Sequence, residues 1–246
     1  IYTLSDLHIG DPHANMQEVQ RRIDEVKNDP YGIAILNGDL MNTATRGGVS
    51  DVYGEKLSPM EQIDALCKLL RPIAKKIAGA TAGNHEQRAY RDDGIDITRL
   101  VCRELGVEDK YAPDGVVVFL RFGTRNGHGR HKDQRQQQWY TLYVTHGSGG
   151  GRKEGAKAIR LADMASIVDA DCYIHAHTHL PMIMKQRYYR TSPMTSSVQC
   201  VERLFVNTGA ALEYGGYGQA KEFKPTSMAS PVVTLQARYK HATARM

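Results

Sequence analysis

The feature that most constrains this chain is an alternation. Short apolar runs each end in a polar cluster, and most are followed by a segment of helical periodicity. "IYTL" runs into "SDLHIG", "GIAIL" into "NGDL", "IAGAT" into "AGNHE", "WYTLYV" into "THG", and "DCYI" into "HAHTHLP". Apolar runs of this length bounded by turn signals predict buried strands. Strands alternating with helices predict a layered α/β fold. In such folds, chemistry gathers in the loops just beyond the strands.

The helices announce themselves by spacing and caps. In "NMQEVQRRIDEVKND", Met16, Val19, Ile23 and Val26 share one face, and Asn15 and Glu18 have capping-box spacing. "SPMEQIDALCKLL" has Ser58 as N-cap, Pro59 in the first turn and Glu61 to close a box; Pro72 should end it. "GIDITRLVCRELG" predicts a helix stopped by Gly106, and residues 154–168 predict another. "GVVVFLRFG" and "QQWYTLYVTHG" predict two strands around a basic tip. The last 60 or so residues look like strands and turns, a β-rich C-terminal part. No linker divides the 246 residues, so one domain over 1–246 is expected.

Composition bounds the setting. No run of 18 apolar residues exists, so no membrane span is expected. Cys67, Cys102, Cys172 and Cys200 are scattered among apolar residues without a CxxC, which predicts buried free thiols and no thiolate zinc site. That usage makes a reducing cytoplasm the default compartment. The chain opens on Ile1, already within an expected strand, so a leader lost upstream stays open. A net charge of +5 and a pI of about 9.0 permit anionic partners without demanding them.

Each polar cluster alone has an ordinary reading. Asp39 could cap the next segment, Asn84 could take a left-handed turn, and His146 could be a satisfied core histidine. Five clusters at five strand ends are harder to treat as coincidence. In order they are Asp6-Leu7-His8, Gly38-Asp39, Gly83-Asn84-His85-Glu86, His146 and Ala176-His177-Thr178-His179. This series resembles the calcineurin-like metallophosphoesterase superfamily, over residues 2 to about 181. One departure is Ala176 where glycine is usual, which matters only if that backbone needs a positive φ.

The resemblance implies central mixed β-sheets flanked by helices and a centre of two divalent metals, manganese first, with iron or zinc as alternatives. Two metals about 3.5–4 Å apart offset the charge of a phosphate ester and ionise water near neutral pH. Asp39 is the implied bridge. Asp6, His8 and His179 complete one implied metal site, and Asn84, His146 and His177 the other. His85 is the implied general acid for the leaving oxygen, with Asp6 or Glu86 as its expected orienting partner. His175 is surplus, expected to pack behind the site, with a role as a further metal ligand as the lesser reading.

The implied function is two-metal hydrolysis of phosphate esters, first as a phosphodiesterase or nuclease on nucleotides or nucleic acid. A phosphomonoesterase on small molecules or phosphoproteins is the alternative, and a catalytically inactive binding scaffold a remote one. Protein Ser/Thr phosphatases usually carry G-D-x-x-D-R-G, and "GDLMNTATRGG" does not. Arg88, Arg152 and Lys153 are candidate substrate contacts, the last two beside a Gly-rich turn entering a helix. The tip residues Arg121, Arg125, His128, Arg130, His131, Lys132 and Arg135 could equally meet a phosphate backbone or only solvent. The C-terminal tyrosines are expected to pack the core, with base stacking or a homo-oligomer contact as alternatives.

Overall fold

The structure is a computed structural model that describes residues 1–45, 52–123, 137–149, 151 and 153–246. It contains two five-stranded mixed sheets. The first has the order β10-β9-β1-β2-β3, built from β1 (Tyr2–Leu4), β2 (Ala34–Asn37), β3 (Ile77–Thr81), β9 (Val232–Leu235) and β10 (Ala242–Arg245). The second has the order β4-β5-β6-β8-β7, built from β4 (Val116–Phe122), β5 (Gln138–Val144), β6 (Cys172–His175), β7 (Met182–Ser192) and β8 (Ser197–Asn207). β1, β2 and β3 run parallel, as do β5, β6 and β8. The remaining strands join antiparallel.

Strand periodicity explains the layering. Successive side chains point to opposite faces. Leu36 of β2 packs among Val19, Ile23 and Val26 of α1 (Met16–Asn28), Leu66 and Leu70 of α2 (Pro59–Leu70) and Val101 of α4 (Ile97–Glu104). Ile35 beside it faces the second sheet, in a core with Leu142, Val144, Ile174, Val206 and Val233. On the far side, Leu161 of α5 (Glu154–Asp163) and Met164 cover Tyr173 and Phe205, whose rings stack at 4.7 Å. Both faces of the central strands are buried, which is why they read as unbroken apolar runs. Each fully buried aliphatic side chain contributes about 1.5–3 kcal/mol.

The ends of the helices follow local chemistry. Ser58 and Glu61 form the full capping box, and α2 stops at Leu70, two residues before Pro72. Asn15 makes only half a box. Its side chain accepts from the Glu18 N–H at 2.9 Å, but its own N–H goes to Ala211 O and the Glu18 carboxylate turns to Arg21 and Arg22. Gly106, at φ 71°, follows α4 as expected. α5 stops at Asp163, short of the expected 168, because a tight turn over Met164–Ser166 brings Met164 back onto the core.

Some expectations fail. Residues read as a loop after His85 form α3 (Glu86–Asp93). Cys200 is exposed on β8, while the other three thiols are buried. Arg121 lies on β4 with its guanidinium 5.5 Å from the Trp139 ring; the other tip residues and Arg152 lie outside the described residues. Among the described residues no helix is long and apolar enough to cross a membrane.

Candidate metal centre

The loops beyond β1, β2 and β3 meet those beyond β5, β6 and β8. The Asp6 N–H donates to Gly38 O and the His8 N–H to Asp39 O, each at 3.0 Å. The Asn37 amide donates to Thr145 O across the two sheets at 3.1 Å. Five chemistry-bearing residues sit in the left-handed region: Asp6 (φ 49°), His8 (47°), Asp39 (48°), His177 (63°) and His179 (54°). Asp and His visit this region more readily than most residues, yet such backbone costs about 1–3 kcal/mol per residue and clusters where function demands it. Ala176 is not among these positions, so alanine there carries no backbone penalty.

Glu86 joins two of these loops. One carboxylate oxygen accepts from the Asp39 and Gly83 N–H groups, both at 2.9 Å, and the other from Met41 N–H at 3.0 Å. Burial, then the charge of Asp39, raises its carboxyl to about 7. The Gly38 and Gly83 loops touch so closely that a Cβ on Gly38 would lie 2.5 Å from Gly83 N.

Among the described residues the side chains converge in three overlapping groups that could each hold a cation. The first comprises Asp6, His8 and His179, and the second Asp39, His146 and His177; the third, His8, Asp39 and His85, shares His8 with one and Asp39 with the other. In the first, His8 Nε2 faces His179 Nε2 at 3.4 Å, and His179 Nε2 lies 3.2 Å from Asp6 Oδ1. In the second, His146 Nε2 lies 3.2 Å from Asp39 Oδ2 and 3.3 Å from Asn84 Oδ1, which also lies 2.7 Å from His177 Nδ1. Both Asp6 oxygens and His8 Nδ1 are buried without a hydrogen bond. Buried polar atoms are rarely left so, and electron-pair donors facing one another around a common point suit a bound cation. His146 Nδ1 donates to Asn37 O at 2.8 Å, which fixes the tautomer and turns its Nε2 lone pair inward. The donor set therefore fits two cations.

The protonation of the metal-free site follows from burial and charge. Burial opposes ionisation of Asp6, but His179 and then His146 outweigh it and hold the carboxyl at about 2. Asp39 likewise stays well below the carboxylate range, held against burial by His146 and His85. His146 is buried, yet Asp39 lifts its imidazole to about 10. Burial, and then repulsion from His146, pushes His177 down to about 4. His8 falls well below its ordinary value through burial and then His85. Cations bound there would meet neutral His8 and His177 and would have to displace a proton from His146.

His85 stands at the head of α3. Its ring Nδ1 lies 2.7 Å from Asn42 O, and its Nε2 is 3.9 Å from Asp39 Oδ2. The orienting partner is thus the Asn42 carbonyl, not Asp6 or Glu86, whose oxygens are turned elsewhere. His175 stands outside both ligand groups: its Nδ1 is 2.8 Å from Asn207 Oδ1, and its ring packs on Gly147. Asn207 in turn donates to Thr178 Oγ1 at 2.9 Å and Leu180 O at 2.5 Å, holding the turn that carries His177 and His179. Sequence reasoning missed Asn207, though it ends a strand just as the other clusters do. Arg88 is buried one turn along α3, and Lys153 is exposed at the start of α5.

A family model described as calcineurin-like phosphoesterase matches residues 7–181. The chain belongs to the calcineurin-like phosphoesterase family. Among solved structures, this phosphoesterase-family chain is similar to a predicted phosphoesterase of Streptococcus pneumoniae, with 17% identity, 87% of this chain and 74% of that one covered, and a TM-score of 0.34. It is also similar to a double mutant of Vps29 from Entamoeba histolytica (14%, 95% and 84%, TM-score 0.41). A third is a metallophosphoesterase of Sphaerobacter thermophilus (13%, 85% and 75%, TM-score 0.39). No curated protein matches the chain.

Proposed function

We propose that this chain is a two-metal phosphoester hydrolase acting on phosphodiesters of nucleotides or nucleic acid. Asp39 would bridge the two cations. Asp6, His8 and His179 would hold one, and Asn84, His146 and His177 the other. The observation that carries this reading is the pair of adjoining donor groups with unsatisfied buried atoms. Oxygen and imidazole donors without thiolate suit manganese, iron or zinc, and manganese is the first proposed. When bound, two such cations offset phosphate charge and acidify water.

The chain itself supplies position and a proton. Asn42 O holds His85 Nδ1–H, so His85 Nε2 faces the centre and, when the ring is doubly protonated, gives its proton to the leaving oxygen. Arg88, Arg152 and Lys153 are the proposed contacts for further anionic groups, and the net charge of +5 permits such substrates.

The test is a paired assay with manganese, iron, cobalt or zinc. Bis-p-nitrophenyl phosphate should be cleaved faster than p-nitrophenyl phosphate, and Asp39→Asn should lose at least about 100-fold. Preference for the monoester would move the assignment to a phosphomonoesterase. No hydrolysis with any of the four metals would reject the reading.

A further inference from the structure

His85 depends on Asn42, and Asn42 lies in a short irregular segment that needs holding. Thr43, next in line, is buried at φ 38°. Such a backbone persists only where its surroundings fix it. Two side chains from outside the segment do so. Glu55 Oε1 accepts from the Asn42 amide at 2.7 Å and from Ala44 N–H at 3.2 Å. Gln62 Oε1 accepts from Thr43 N–H at 2.9 Å. The Gln62 amide nitrogen donates to Glu55 Oε2 at 2.5 Å and Leu57 O at 2.8 Å.

Gln62 is fully buried on α2 and packs on the bare Cα of Gly10, where a Cβ would lie 2.4 Å from its nitrogen. Both polar ends of Gln62 and both oxygens of Glu55 are thus engaged. None of these bonds reaches a side chain of the proposed metal ligands. The pair is fully committed, and it holds the segment whose Asn42 carbonyl accepts from His85 Nδ1.

We infer that Glu55 and Gln62 are positioning residues for His85, locking the Asn42 carbonyl that fixes its tautomer and aim. The inference deepens the phosphoesterase reading and rests on His85 acting as the general acid. A misplacement of about 1 Å can cost about 100-fold in rate. The loss falls on the step that needs the proton. An alkoxide leaving group requires protonation, whereas p-nitrophenolate departs without it.

The experiment compares a dinucleoside monophosphate with the p-nitrophenyl ester of thymidine 5′-phosphate. Gln62→Leu should lower kcat on the dinucleotide by about 10- to 100-fold and on the p-nitrophenyl ester by less than about threefold, with metal stoichiometry unchanged. Gln62→Glu, which sets two carboxylates against each other, should show the same selective loss. The Glu55→Gln/Gln62→Glu double variant, which restores the amide–carboxylate bond but sets a carboxylate oxygen against Leu57 O, should regain part of it. That pair carries the test if Gln62→Leu does not fold.

Ring 15N shifts of His85 in the metal-free protein provide a readout independent of activity. At a pH where the ring is neutral, the wild type should show Nδ1–H alone, and Gln62→Leu a mixture of tautomers. Equal losses on both substrates, no loss on either, or no rescue by the double variant would overturn the inference. If the wild type cleaves neither substrate, the phosphoesterase reading fails, and an unchanged 15N pattern in Gln62→Leu would then overturn the clamp separately.

Discussion

Adding one methyl group at Gly83 should disable the centre without replacing any proposed ligand. A Cβ there would lie 2.1 Å from Asp39 Oδ1, 2.2 Å from Asp39 N and 2.8 Å from Asp39 Cγ. Ordinary contact begins at 3.4 Å, so the overlap exceeds an ångström. Neither side can yield cheaply, because Glu86 ties the Gly83 and Asp39 N–H groups to one oxygen. Overpacking of a tight interior costs about 1–3 kcal/mol, and a clash with backbone belongs at the top of that range. About 3 kcal/mol corresponds to a fall in Tm of roughly 6–12 °C for a chain this size. Gly155→Ala is the control: nothing lies within 4 Å of its Cβ and its backbone is helical. It should gain about 0.4–1 kcal/mol. Thermal unfolding of metal-free protein and a metal-binding isotherm measure both effects. Gly83→Ala within 0.5 kcal/mol of wild type, with metal affinity intact, would refute the packing argument.

Metal binding near pH 7 should release protons, because Asp39 keeps His146 protonated up to about 10; calorimetry in buffers of different ionisation enthalpy counts them, and no release would contradict the assignment. The sign for the metal-free protein is the reverse. A folded pKa above the unfolded value of about 6.5 gives stability fully present below that pH and lost as pH rises towards 10, which urea unfolding at pH 6 and pH 10 would show. Asn207→Leu leaves the partners of four bonds unsatisfied, His175 Nδ1, Thr178 Oγ1, Leu180 O and Thr208 O. It should cost about 2–4 kcal/mol and weaken metal binding, since the turn carrying His177 and His179 loses its brace.

What could be read from the sequence was what local chemistry dictates. Val19, Ile23 and Val26 repeat at helical spacing and are buried; Ser58, Pro59 and Glu61 mark a helix start and form its box. The five polar clusters stood at strand ends, and the structure gathers them in one place. Helix α3 was hidden because "EQRAYRDD" has no apolar stripe; it buries Glu86 and Arg88, residues that read as solvated. The closure of the first sheet by β9 against β1 joins Val232 to Tyr2, a pairing no local pattern encodes. The Glu55–Gln62 pair was invisible for a related reason: a glutamate in a loop and a glutamine on a helix look like surface until the Thr43 backbone is seen to need them.

The most direct test of the central claim is the number of divalent ions bound per chain, measured by calorimetry and elemental analysis on protein stripped and reloaded with manganese. Two ions in the wild type, falling to one or none in Asp39→Asn, is the expected result. No bound metal in the wild type, or two ions retained with unchanged affinity in Asp39→Asn, would contradict it.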